Sequence, residues 1–259
     1  TDPKTQAFAV KMLASVKSKR ASLHLLRLYF LGAPETQRAA ANYFKDRRQV
    51  PPHSPNDAAT QLQQRAKFHL EGNPAVRADI NGLVEVWTWN GKENTVSPQT
   101  VTADAASAIA AARFARDAYD LAPSVQSQQL LLASRLQVDQ LLGGIDQLLP
   151  REEGSAFTLG VEFGPQLASQ TLDYCLRHGH SAAAQGACEL LGYLCQNRSS
   201  ANWGTLSKAL QAPNRRVRYA AVRAVMQVDP RQRYAGAGYF QDALMDLANA
   251  QGFPHAVVC

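Results

Sequence analysis

Apolar positions fall at helical spacing along most of this chain, and one set of them repeats. In residues 213–228, Val217, Ala221, Ala224, Val225 and Val228 occupy one face of an α-helix. A step of 34 residues back from each reaches Ala183, Ala187, Leu190, Leu191 and Leu194, all apolar and on the same face. The preceding helix repeats as well, with Leu206 and Leu210 answering Leu172 and Leu176. A helical unit of fixed period, about 30–45 residues, cannot bury its apolar face alone and stacks on its neighbours. The pattern therefore predicts an all-α fold, an α-solenoid (α/α superhelix) of antiparallel helix pairs.

Prolines, glycines and capping residues punctuate the remainder. Asp2-Pro3 opens a helix with Phe8, Met12 and Val16 on one stripe; a second runs through Leu23, Leu26 and Leu31 to Gly32, and a third from Pro34 to Arg48. The run Pro51-Pro52-His53-Ser54-Pro55 breaks the helix, because proline lacks an amide donor and clashes with the preceding turn. Asn56 or Asp57 caps the next helix, to Leu70, and Asn73-Pro74 opens another that reaches about Trp87. Residues 83–96 admit two readings. Val84, Val86 and Thr88 alternate ahead of an Asn90-Gly91 turn, as in a β-hairpin, whereas Ile80, Leu83, Val84 and Trp87 fit a helix; the polar second arm favours the helix. Helices then cover Thr102 (as N-cap) to Leu121, Ser124 to Leu142, 165–178, 181–196, 202–211, 214–228 and 238–250.

This spacing sets the expected organisation: a helical region over 1–142, an irregular linker over 143–164 containing Arg151-Glu152-Glu153-Gly154, and repeats over 165–251. Residues 252–259 include the apolar, β-branched run Ala256-Val257-Val258-Cys259. They read as the first strand of a buried parallel sheet in a truncated following domain, or as a tail packed on the last helix.

Composition agrees with helix, since Ala, Leu and Gln dominate over Val, Ile and Thr. The 259 residues suffice for one elongated repeat domain or two ordinary ones. No run of about 18 apolar residues exists, so no transmembrane helix is expected. The start, Thr1-Asp2-Pro3-Lys4, has neither an initiator Met nor a signal-peptide core, and reads as a processed product or a piece of a longer chain. The net charge of +6 is unevenly spread: residues 1–72 hold 12 Lys/Arg against 5 Asp/Glu, 73–165 hold 6 against 11, and 166–259 hold 9 against 5. Two basic ends around an acidic middle would suit a polyanion, or simply a solvated surface. Of the four cysteines, Cys188 and Cys195 are seven apart on one helix, roughly 10 Å along its axis and too far to bridge. Cys175, on the partner helix, could approach Cys188. Buried apolar thiols are the expectation, with a Cys175–Cys188 bridge only in an oxidising compartment.

Two repeat families show through. The series Val217-Arg218-x-x-Ala221-x-x-Ala224-Val225-x-x-Val228 and its earlier copy resemble HEAT repeats over 165–228; the earlier copy has Ala184 where that family usually carries arginine. Residues 105–123 are similar to the second helix of a tetratricopeptide repeat, with Ala111, Ala118 and Pro123 at that motif's spacing and Ala115 where a large aromatic is usual. Tetratricopeptide-like helices leading into HEAT-like ones also resemble a group of bacterial repeat proteins whose repeats precede a receiver-like α/β domain. The resemblance implies a non-catalytic scaffold that binds a protein or peptide partner in the groove of its second helices, as the docking or regulatory half of a larger multidomain protein. It implies an alternative too: HEAT-like folds include DNA-repair glycosylases with basic grooves, and bilin lyases. A glycosylase needs an aspartate beside an aromatic wall, and the spacing does not bring Trp203 and Asp229 together for that purpose.

Motifs of catalysis do not appear. The sequence lacks G-x-G-x-x-G after a strand, G-x-x-x-x-G-K-[ST], H-E-x-x-H and G-x-S-x-G. No cofactor is expected. Cys175-x-x-His178-x-His180 offers metal-binding residue types, but zinc needs three or four convergent ligands, and Gly179 suits a helix C-cap better. The remaining candidates are basic: Arg215, Arg216, Arg218, Arg223, Arg231 and Arg233, with Tyr219 and Tyr234 interleaved. Arg215 and Arg216 fall in a first helical turn, where positive charge opposes the macrodipole. That placement calls for an external anion or an acidic neighbour, because guanidinium forks bind carboxylate or phosphate bidentately. Three roles fit the cluster: repeat-to-repeat contacts, with Arg218 reaching a carbonyl or an acid such as Asp229; a protein partner; and nucleic acid.

Overall fold

A computed structural model describes residues 3–15, 21–74, 77–90, 95–144, 146–196, 203–230 and 234–249. The chain divides into two compact units, Thr1–Leu142 and Gly143–Cys259. The described residues are mostly helical, with one two-stranded sheet. None of the described helices is long and apolar enough to cross a membrane.

In the first unit, helices α1 (Pro3–Ser15), α2 (Ser22–Leu31), α3 (Pro34–Asp46) and α4 (Pro55–Leu70) come before a hairpin of β1 (Leu83–Asn90) and β2 (Thr95–Thr102). Helices α5 (Ala103–Leu121) and α6 (Val125–Gly143) follow it. Proline at N1 and a capping hydroxyl start α4, where Ser54 Oγ accepts the Asp57 N–H at 3.1 Å. Helix α4 packs along α5, and α2 touches both. Between them Phe114 is buried, with His24 stacked at 4.6 Å and His69 at 5.7 Å. Arg27 Nε donates to Asp120 Oδ2 at 2.7 Å and stands 3.8 Å from Asp117, tying α2 to α5. Burial pushes the Asp117 carboxyl up to about 6, with Arg27 pulling against it.

The hairpin corrects the favoured helical reading of 83–96, and the helix expected from Pro74 to Trp87 does not form. Two local features stop it. The Asp79 carboxylate accepts the N–H groups of Asn81 and Leu83, at 2.9 and 2.8 Å, which offers the backbone a turn instead of a helix. Gly82 then takes φ +75°, a left-handed conformation that glycine adopts without a Cβ clash. From there β1 pairs antiparallel with β2, Leu83 opposite Thr102 through Asn90 opposite Thr95. Val84 and Val101, facing each other in this register, are buried against Ala105 and Ala106 of α5. A mostly polar second arm is enough, because one apolar pair on one face anchors the sheet to the helix. Thr102 ends β2 and also caps α5, its Oγ1 accepting the Ala105 N–H at 3.3 Å.

The second unit holds α7 (Ala156–His178), α8 (Ser181–Leu194), α9 (Trp203–Leu210), α10 (Arg215–Val228) and α11 (Ala237–Ala248). Helix α7 reaches further back than expected: residues 156–163, assigned to an irregular linker, are helical, capped by Ser155. Gly164, at φ 84° and ψ 175°, interrupts the helix, and Pro165 restarts it. Gly179 closes α7 in the left-handed conformation (φ 74°), its N–H donating to the Cys175 carbonyl, which is the C-cap role its position suggested. Two helix pairs result, α7 with α8 and α9 with α10, and α8 packs along α10. The first helices are linked by polar bonds, Ser169 Oγ to Thr205 Oγ1 at 3.0 Å and Lys208 Nζ to Asp173 Oδ1 at 2.8 Å.

The repeated apolar positions lie in the core: Ala183, Ala187, Leu190 and Leu191 on α8, and Val217, Ala221, Ala224, Val225 and Val228 on α10, are all buried. Leu194 is half-buried. Cys175, Cys188 and Cys195 are buried free thiols, so the Cys175–Cys188 bridge is not formed. Burial pushes the thiols of Cys175 and Cys188 well above the usual range, and both fill space as small apolar groups. The expected strand over 252–259 lies outside the described residues.

Candidate functional site

Asn214 sets the start of α10, its Oδ1 accepting the N–H groups of Arg216 and Val217 at 3.0 and 3.4 Å. No acidic residue occupies the first turn. The apolar stripe of α10 faces inward, which leaves Arg216, Tyr219, Ala220, Arg223 and Gln227 at three- and four-residue spacing on another face. With Arg215 and the facing residues Gln185 and Glu189 of α8, they line a cleft of about 530 Å³. Ala224, Leu247, Asp146 and Gln147 complete the lining.

The charges in this cleft are mixed. Arg216 Nε stands 3.9 Å from Asp146 Oδ1, in an exposed pair that contributes little to stability. Arg223 lies near the Tyr219 ring, 5.8 Å from its centroid. Arg215 makes no hydrogen bond or ion pair with any described residue. Glu189 is half-buried, and its oxygens accept the Leu149 N–H at 3.2 Å. Burial raises its carboxyl, while the Leu149 N–H and the guanidiniums of Arg223 and Arg151 hold it down. Arg151 is itself seated over the rings of Phe157 and Tyr193, at 4.9 and 5.5 Å.

The arginine cluster is thus divided. Arg215, Arg216 and Arg223 share the cleft, but Arg218 turns elsewhere. Its Nη1 donates to the carbonyls of Ala212 and Pro213, at 2.8 and 3.0 Å, and its Nη2 to Asp246 Oδ2 at 2.7 Å. Asp246, not Asp229, is therefore its acidic partner, and the bond fastens α11 to the start of α10. Asp229 ends α10 in a left-handed conformation (φ 50°). Neither Asp229 nor Trp203, which stacks on Tyr234 at 4.3 Å, lines the cleft. Arg231 and Arg233 lie outside the described residues. Among the described residues no group of His, Cys, Asp and Glu is placed to hold a metal; His178 and His180 stack on each other instead, centroids 5.9 Å apart.

Glu189 and Gln185 were not singled out in the sequence, although a signal for them existed. Adding the 34-residue period to Gln185 and Glu189 gives Tyr219 and Arg223, so the polar lining repeats in register just as the core does. Comparison with known protein families, curated proteins and solved structures yields no significant match to this chain.

Proposed function

We propose that this chain is a non-catalytic repeat scaffold: an α-solenoid, tetratricopeptide-like over 1–142 and HEAT-like over 165–251, that holds a protein or peptide partner in the cleft between α8 and α10. On this reading it is the docking or regulatory half of a larger protein. The observation that carries the proposal is the pairing of Gln185 and Glu189 with Tyr219 and Arg223, equivalent positions of consecutive helix pairs lining one cleft. Helix pairs that bury their apolar faces on each other present their remaining positions as a continuous recognition surface. A cleft of this size is ordinary for ligand recognition, and its arginines are suited to a partner's acids.

The test is quantitative affinity purification from native cells with wild type and with Arg215→Glu/Arg216→Glu, followed by direct binding of the recovered protein in purified form. Both substitutions are at exposed positions, so the variant is expected to melt with the wild type. A purified partner that binds wild type and is released by the double variant is the expected result. A set of bound proteins unchanged by the variant removes this cleft from the scaffold's function.

A further inference from the structure

The cleft's charge is interrupted, and the interruption selects among anions. Arg216 and Arg223 are seven residues apart on α10, roughly 10 Å along the axis. Between them lie Ala220 and Tyr219, and with Leu247, which lines the same cleft, they make a small apolar floor. Each arginine has a carboxylate beside it. Asp146 lies 3.9 Å from Arg216, and Glu189 is within electrostatic range of Arg223. Counted along the lining, three guanidiniums stand against two carboxylates, with the amides of Gln185, Gln227 and Gln147 among them.

A nucleic acid strand carries a phosphate on every nucleotide, and its binding proteins neutralise successive phosphates with cations. In this cleft that strand would set phosphates against Asp146 and Glu189. A polypeptide meets the same lining without that conflict. Its carboxylates take the arginine forks bidentately, its backbone N–H groups face Glu189 and Asp146, and an apolar side chain covers the apolar floor. A polyproline II segment turns once every three residues and rises about 9 Å per turn, so two side chains three residues apart lie on one side at nearly the arginine spacing. Building on the scaffold reading above, we infer that the α8–α10 cleft takes an acidic peptide segment. Two carboxylates about three residues apart engage Arg216 and Arg223, and an apolar side chain between them sits on Ala220 and Leu247.

The experiment is selection of a random dodecapeptide phage library on the full chain, with Arg216→Glu/Arg223→Glu as the counter-selection protein. Fluorescence anisotropy then follows with the selected peptide, its Asn/Gln-substituted counterpart, and a single-stranded dodecanucleotide at two salt concentrations. Thermal melts establish that each variant is folded. Enriched peptides should carry two Asp/Glu about three residues apart around an apolar residue. Amidating those acids, or reversing the two arginines, should weaken binding by about tenfold or more, since close charge pairs across an interface are strongly coupled. Glu189→Gln/Asp146→Asn should raise the affinity for the oligonucleotide more than for the peptide.

The failures separate. Neutral or basic peptides that bind in the cleft and are lost in Tyr219→Ala would overturn the acidic class and leave the scaffold reading standing. An oligonucleotide that binds more tightly than any peptide, with an affinity collapsing in salt, would overturn both. A library that yields no peptide sensitive to the arginine reversal overturns the acidic segment as the occupant.

Discussion

Helices α8 and α10 are built on the same apolar register and differ in close approach, capping and charge around it. At the contact between them α8 has Gly192, where an added Cβ would come within 2.9 Å of Ala224 Cα and 2.5 Å of Gln227 Oε1. The equivalent residue of α10 is Met226, 63% exposed. At the N-terminus α10 has Asn214, which caps two amides, while its counterpart His180 makes no side-chain capping bond. At the cleft α8 contributes Gln185 and Glu189, and α10 contributes Tyr219 and Arg223. Shared positions thus build the core, and the substitutions at the other positions decide where a helix is approached closely, how it starts and what charge it shows.

The largest effect expected from perturbing this pair is in the shared register. Leu191 and Val225 are equivalent and almost fully buried. Leu191→Ala should cost about 2–5 kcal/mol in chemical denaturation, and Val225→Ala, which removes two methyl groups, about 2 kcal/mol. Costs below about 0.5 kcal/mol at both positions would mean that the repeated apolar face is not the core of this unit. Next come Gly192 and Met226. Gly192→Leu should cost about 1–3 kcal/mol, because the new side chain meets α10 backbone and the helix-propensity gain is smaller than the clash. Met226→Leu, on the open face, should change stability by no more than about 0.5 kcal/mol. Equal effects at these two positions would erase the asymmetry between the helices. Below these stands the cap: Asn214→Ala should cost about 1 kcal/mol by urea titration, with the m-value unchanged.

What the sequence made legible follows the same division. Some helix ends of the second unit are legible because glycine, proline and asparagine act locally: Gly179 ends α7, Pro165 restarts it and Asn214 caps α10, whereas the first turns of α7, from Ala156, are not. The hairpin was misjudged because its deciding contacts are not periodic. Asp79 bonds to nearby amides, and a single buried pair, Val84 with Val101, rests on α5. Arginine density picks out 215–233 but does not sort Arg218 from Arg216. Two residues of helix turn them to opposite sides, one to Asp246 and the other to Asp146. Glu189 was hidden by being the lone acid on a mostly apolar helix, and only the stacking of α8 on α10 gives it meaning.

The smallest effect isolates the charge at that position. Burial raises the Glu189 carboxyl above its ordinary 4.5, so the folded chain holds this proton more tightly than the unfolded one. The stability this linkage contributes is fully present below the unfolded value and is lost as pH rises through the folded one. Glu189→Gln keeps an acceptor for the Leu149 N–H and removes the ionisation. The variant should therefore lose that part of the pH dependence and melt slightly above wild type near neutrality. Asp117, pushed up to about 6, imposes the same sign of dependence in an overlapping window. It is present in both proteins, so the difference between their melting curves reports Glu189 alone. Parallel curves across the acid-to-neutral range would mean that the carboxylate is solvated, and the cleft would then lack the half-buried acid that sets it apart from a plain basic groove.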